Sequence, residues 1–153
     1  MAVKQVISWA TVILWMALIF YLSHQPATES AQLSRGLTAL VLQTIETLAP
    51  GLEIDAVGFH SFVRKAAHFT AYFVLGVLVV NALNISAVRG YRGVAYALLI
   101  CVLYAISDEF HQTFVPGRSG EVMDVLIDSL GSGAGILVYG GLKSLRRAKG
   151  SDC

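Results

Sequence analysis

Charged residues are scarce in this sequence. Asp, Glu, Lys and Arg make up 14% of its 153 residues, whereas hydrophobic residues make up 56%. An ordinary soluble domain is roughly 25% charged. A chain of this length buries only a modest fraction of its surface when it folds in water, so it has too little interior for so many apolar side chains. The composition therefore argues against an ordinary soluble domain and favours lipid as the main solvent.

The sequence also lacks the patterns of a nucleic-acid-binding protein and of a cysteine-based site. The net charge is +1, and no basic stripe is interleaved with aromatic residues, so we expect no nucleic-acid partner. The cysteines are only Cys101, within an apolar run, and the terminal Cys153. They match neither a disulfide framework nor a metal-binding spacing. The length suits one compact unit, and we expect residues 1–153 to form a single domain.

Long apolar runs are abundant, and they predict the fold. We predict an all-α polytopic membrane protein with a bundle of four transmembrane helices. The predicted spans are TM1 at about 5–22, TM2 at about 56–83, TM3 at about 92–112 and TM4 at about 122–142. A signal peptide is the alternative for the first run, but the run is longer than a typical h-region and no clear A-x-A site follows it.

The segment between TM1 and TM2 has a different pattern. Apolar residues recur at helical spacing over about 30–48, and the opposite face is polar. This pattern predicts an amphipathic helix that either lies on the membrane surface or caps the bundle. The polar face carries Gln32, Arg35, Gln43 and Glu46.

The distribution of basic residues predicts the orientation. With four spans, both termini lie on the same side of the membrane. That side would carry most of the basic residues, namely Lys4, Arg89, Arg92, Lys143, Arg146, Arg147 and Lys149. The positive-inside rule therefore predicts cytoplasmic termini and an extracytoplasmic amphipathic helix.

Polar residues of all four spans gather at one end of the predicted bundle, the end opposite the termini. They follow helical stripes: Lys65, His68 and Tyr72; Tyr104, Asp108 and Gln112; Asp124, Asp128, Gly131 and Gly135. A carboxylate facing lipid would be costly, so we expect the stripes to face each other. Gly131 and Gly135 form a G-x-x-x-G pattern that lets a neighbouring backbone approach closely.

Two interpretations of this polar end remain open. The carboxylates either form a functional site or only pair with Arg64, Lys65 and Arg118 to hold helix ends together. Arg118, after Pro-Gly, is either a loop anchor or a bidentate ligand for an anionic group. Asp108 and His111 have the spacing of a carboxylate–histidine metal pair, with His68 as a third ligand. One such pair is weak evidence, so we expect no metal and no cofactor.

Several motifs together resemble the VanZ-like family, over nearly the whole chain. They are Leu22-Ser23-His24-Gln25-Pro26, Arg64-Lys65-Ala66-Ala67-His68-Phe69 with Tyr72, the segment from Ser107 to Arg118, and Asp124 and Asp128 before Gly131. The TM1 motif reads SHQ where the family more often has a serine-rich version ending in Gln. The matching positions, which we take as candidate ligand-binding residues, are Gln25, Lys65, His68, Tyr72, Asp108, Glu109, Gln112, Arg118, Asp124 and Asp128.

The resemblance implies a protein of the bacterial cytoplasmic membrane, from a family whose namesake is associated with low-level resistance to teicoplanin. It implies no catalytic mechanism. We therefore keep three hypotheses. The polar end binds an anionic membrane lipid or a lipid-linked cell-wall precursor; or it is an enzyme site on such a substrate, with candidates Asp108, Glu109, Asp124 and His68; or it is a non-catalytic scaffold. No protein partner is indicated.

Overall fold

A computed structural model describes residues 2–26 and 56–151 continuously, together with positions 28, 36, 39–41, 43, 44 and 47. Its helices are α1 (Ala2–Ser23), α2 (Ala56–Ile85), α3 (Gly90–Gln112) and α4 (Val122–Ser151). All four are long and apolar enough to cross a membrane, and the described residues contain no strand. The predicted all-α class and the four spans are therefore confirmed. The predicted amphipathic helix at about 30–48 falls largely outside the described residues and stays a prediction.

The helix ends follow the local sequence. Ala87 lies in the turn between α2 and α3, and Gly90 is the first residue of α3; both have a positive φ of 66°. In the α3–α4 loop, Gly117 takes a φ of 75° directly after Pro116, a backbone conformation that glycine adopts without strain. The fourth helix continues past the predicted end at 142, because its last residues are mostly the helix-favouring Lys, Arg, Leu and Ala. The span-like part of α4 ends at Leu145.

Helices α2 and α4 form the most extensive interface of the bundle. A Cβ atom added at Gly131 would clash with the carbonyl oxygen of Phe69, and one at Gly135 would clash with that of Phe73. Only glycine permits this backbone approach, so the close packing predicted from the G-x-x-x-G pattern is confirmed.

The bundle has an apolar core and an apolar surface. Buried residues in its centre include Val12, Leu75, Val79, Ala97, Cys101 and Ile136. Large apolar side chains such as Leu14, Leu99, Leu103, Leu130 and Leu137 point outward. An apolar exterior over the length of the spans is what a protein surrounded by lipid requires.

Polar contacts differ between the two ends of the bundle. Near the termini, isolated hydrogen bonds tie helices together, such as Tyr139 Oη to Asn81 Oδ1 at 3.0 Å and Lys143 Nζ to Asn84 Oδ1 at 2.6 Å. At the other end, where α1 and α3 finish and α2 and α4 begin, buried polar residues come together. We call this the polar end; its buried members are Ser23, Asp108, Glu109, Gln112, Asp124 and Asp128, and its half-buried members include Arg64, Lys65, His68 and Arg118.

Candidate functional site

Asp108 is held at the polar end by α1 and by its own helix. Its Oδ2 accepts a hydrogen bond from Ser23 Oγ at 2.8 Å and a longer one from Gln112 Nε2 at 3.4 Å. The Asp108 side chain is buried, and Oδ1 has no hydrogen-bond partner among the described residues. One oxygen is therefore fixed while the other retains its capacity to bind.

Glu109, the next residue of α3, is oriented from two sides. Gln112 Nε2 donates to its Oε1 at 3.1 Å, and the backbone N–H of Glu121 donates to its Oε2 at 2.9 Å. The second contact joins α3 to the residue just before α4. Gln112 thus bridges the two adjacent carboxylates and fixes their relative position.

Asp124 and Arg64 form an ion pair at the polar end. Arg64 Nη2 lies 3.4 Å from Asp124 Oδ2 and 3.6 Å from Glu121 Oε1. The Arg64 side chain is 40% exposed, whereas Asp124 is buried. Such a partly solvated pair fixes the register of α2 against α4 but contributes little net stability by itself.

Asp128 lies deepest and is the least satisfied carboxylate. It is fully buried, and neither of its oxygens has a hydrogen-bond partner within the described part of the chain. The imidazole of His68 approaches it, with Nδ1 3.4 Å from Asp128 Oδ1. Since N–H···O hydrogen bonds in proteins span about 2.7–3.2 Å, this approach is longer than a normal bond.

His68, Glu109 and Asp128 form a compact group. One ligand atom from each lies within 4.8 Å of the others, close enough for the three to hold a metal ion. Each comes from a different helix: α2, α3 and α4. The spacing argument paired Asp108 with His111 instead, but His111 contacts His24, with Nδ1 of His24 3.1 Å from Nε2 of His111.

Other predicted site residues stand at the margins of this network. Tyr72 is buried beside Tyr104, with ring centroids 6.1 Å apart, and its hydroxyl has no hydrogen-bond partner among the described residues. Lys65 is half-buried and makes no ion pair with a described carboxylate. Gln25 is half-buried, and its described contact is a backbone hydrogen bond to Leu22.

Arg118 is a half-buried cation on the α3–α4 loop. Its Nη2 donates a long hydrogen bond, 3.5 Å, to the carbonyl oxygen of Leu22, and no described carboxylate lies within ion-pair distance. Burial, and next the nearby Arg64, lower the pKa of the Arg118 guanidinium from its ordinary value. An arginine with so high an ordinary pKa remains charged at neutral pH. It therefore presents a positive charge that no carboxylate of the described residues pairs with directly.

Sequence reasoning did not select Ser23 or Arg64 as site residues. A lone serine at a helix end is ordinarily an interface residue. Arg64 and Lys65 are adjacent, and the sequence does not show which of them pairs with the carboxylates. The signal for Ser23 was its place in the TM1 motif, whose family version is serine-rich.

The fold and the polar end define a class: a multi-pass α-helical membrane protein with a buried cluster of carboxylates at one end of its bundle. The sequence model of the VanZ/LLP1 family matches residues 8–143, and the chain belongs to this family. No curated protein and no solved structure matches the chain significantly.

Proposed function

We propose that this VanZ-like protein binds the phosphate group of an anionic lipid or lipid-linked cell-wall precursor at its polar end. The observation that supports the proposal is the burial and the pairing of two basic side chains. Arg118 and Lys65 are half-buried, and neither pairs with a described carboxylate although Asp108, Glu109 and Asp124 lie at the same end. Cations held in this way suit an anionic headgroup, and the planar guanidinium suits phosphate in particular.

The carboxylates give the proposed site its selectivity. Asp124 and Glu121 engage Arg64, so Lys65 and Arg118 are the described basic residues at this end that remain available to a ligand. The buried carboxylates below them would repel a ligand whose negative charge extends deeper than one phosphate group. The site therefore favours a headgroup at the membrane surface with its acyl or isoprenyl chain beside the helices.

In the cell, the predicted orientation places the polar end at the outer leaflet of a bacterial cytoplasmic membrane. If the protein binds a surface-exposed precursor there, it would alter the access of teicoplanin to its target. This gives the proposal a phenotype: protection from teicoplanin that depends on Lys65 and Arg118.

The test is teicoplanin susceptibility of a sensitive bacterial host that expresses the wild type, Lys65→Met, Arg118→Met or the double variant. Membrane abundance is measured in the same cultures. We expect the double variant to lose protection at unchanged abundance. Arg89→Met, which removes an exposed cation at the opposite end, is the matched control and should protect fully. Full protection by the double variant would contradict the proposal.

A second candidate is an enzyme that acts on the same class of lipid-linked phosphate substrate. The specific observation in its favour is the approach of His68 to the buried Asp128 at 3.4 Å. A carboxylate behind an imidazole orients it for general acid–base work. Mass spectrometry of lipids and wall precursors from cells with and without the protein separates the two functions, since only an enzyme changes the product profile.

A further inference from the structure

We propose that His68, Glu109 and Asp128 form a binding site for a divalent transition-metal ion such as Zn²⁺ or Mn²⁺, against the expectation from the sequence. The proposal goes beyond lipid binding and does not depend on it, because none of the three ligands is one of the two cations assigned to the anionic headgroup.

The first argument is geometric. Two ligands that bind one Zn²⁺ at about 2.0–2.2 Å with a tetrahedral angle lie roughly 3.3–3.6 Å apart. The 3.4 Å between His68 Nδ1 and Asp128 Oδ1 falls in this range and is long for a hydrogen bond. With Glu109 included, one ligand atom of each of the three residues lies within 4.8 Å of the other two. Side-chain movements of roughly 1 Å bring all three to bonding distance of one ion.

The second argument is the unsatisfied carboxylate. Asp128 has no exposed surface, and no described residue donates a hydrogen bond to either of its oxygens. An ionised carboxylate in this position is strongly unfavourable unless a cation or a proton compensates it. A bound divalent ion supplies that compensation and also uses the lone pairs that the protein leaves unoccupied.

The surroundings complete the site. Both oxygens of Glu109 are already hydrogen-bonded, to Gln112 and to the backbone of Glu121, an arrangement that orients metal-ligating carboxylates in known sites. Each carboxylate oxygen keeps a second lone pair for the ion. Three protein ligands leave a coordination position open for water or another small ligand. A mixed set of imidazole and carboxylates suits Zn²⁺ or Mn²⁺, both of which accept nitrogen and oxygen donors.

The test is the metal content and thermal unfolding of the full-length protein, purified in detergent, stripped with chelator and incubated with ZnCl₂ or MnCl₂. We expect about one equivalent of at least one of these ions per chain, retained after desalting. We also expect His68→Gln and Asp128→Asn each to weaken binding at least tenfold, in line with the loss of a ligand. His24→Gln removes an imidazole from the same end, outside the group, and should bind like the wild type.

Thermal unfolding keeps the test informative if a variant folds poorly. Asp128→Asn removes an uncompensated buried charge, so without metal it should unfold at the same or a higher temperature than the wild type. Addition of the ion should raise the unfolding temperature of the wild type and not that of Asp128→Asn. The proposal is overturned if neither ion is retained, if Asp128→Asn binds as well as the wild type, or if His24→Gln alone abolishes binding.

Discussion

Asp108 shows how single residues at the polar end depend on partners from other helices. Its Oδ2 is held by Ser23 of α1 at 2.8 Å, a short hydrogen bond in a buried setting. Removal of a donor leaves that oxygen without its main partner, and the cost of an unmet buried polar atom exceeds the net gain from an average hydrogen bond. The helix end and the carboxylate therefore stabilise each other.

We expect Ser23→Ala to lower the free energy of unfolding by about 1–3 kcal/mol, since it removes a hydrogen bond to a buried carboxyl group. Chemical denaturation in micelles measures the change. Ser119→Ala, on the exposed α3–α4 loop, is the control and should leave stability unchanged. An equal effect of the two substitutions would mean that the Ser23–Asp108 contact is not formed in the membrane.

A substitution at Asp124 distinguishes a binding site from a scaffold. If its role is only to pair with Arg64 and hold α2 against α4, Asp124→Asn should reduce membrane abundance and any protection from teicoplanin in the same proportion. If the carboxylate belongs to a binding site, protection should fall further than abundance. Quantitative immunoblotting and susceptibility measured on the same cultures give both values.

At the scale of the elements, the interface between α2 and α4 decides whether the polar end can form. Gly131 and Gly135 bring α4 against the backbone of α2. Asp128 and Asp124 lie on the same helix, about one and two turns closer to the polar end than Gly131. The close approach therefore sets the distance between Asp128 and His68.

Gly135→Val should destabilise the bundle by roughly 1–3 kcal/mol or more, because the added side chain overlaps the Phe73 carbonyl and must push the helices apart. Gly141→Val is the matched control in the same helix, since nothing lies within 4 Å of a Cβ at that position. Unfolding midpoints of the two variants in detergent compare them. Unfolding of both variants together with the wild type would contradict the close packing of α4 against α2.

Part of this arrangement was predictable from the sequence, and the reason lies in periodicity. The apolar runs predict the four helices, and the 3.6-residue repeat places Asp124, Asp128, Gly131 and Gly135 on one face of α4. Periodicity does not fix the rotation of one helix against another. Arg64 and Lys65 are roughly 100° apart around α2, so only tertiary packing decides that Arg64 rather than Lys65 pairs with Asp124.

The contacts between distant residues were not predictable. The stripes that carry His68 and Asp128 are expected to face each other, but the two residues are sixty positions apart and the sequence does not show which members of the stripes make contact. Asp108 and His111 have the spacing of a carboxylate–histidine metal pair on one helix, although one such pair is weak evidence. In the structure His111 instead lies against His24 and Phe20 at the end of α1. The same limit explains why the group of His68, Glu109 and Asp128 was not foreseen.

For the whole molecule, the four spans place the polar end and the termini on opposite sides of a membrane. The excess of Lys and Arg on the side of the termini predicts that this side is cytoplasmic. The orientation matters for function, because the proposed ligands are accessible to teicoplanin only at the outer surface.

A membrane-impermeant maleimide tests the orientation in a Cys101→Ala background. We expect Ser119→Cys, with Cys153→Ser, to be labelled in intact cells, since its loop lies at the polar end. The native Cys153 should be labelled only after permeabilisation. The reverse pattern would place the polar end in the cytoplasm and exclude an outer-leaflet ligand.

The central claim is that the polar end binds a phosphate-bearing lipid through Lys65 and Arg118, and native mass spectrometry of the full chain tests it most directly. The protein is released from micelles that contain an isoprenyl monophosphate, phosphatidylglycerol or phosphatidylcholine, with inorganic phosphate as the lipid-free comparison. We predict that the wild type retains one of the two anionic lipids in preference to phosphatidylcholine and to free phosphate, and that Lys65→Met with Arg118→Met abolishes this preference while Arg89→Met keeps it. Equal retention of anionic and zwitterionic lipid by the wild type, or an undiminished preference in the double variant, would contradict the account.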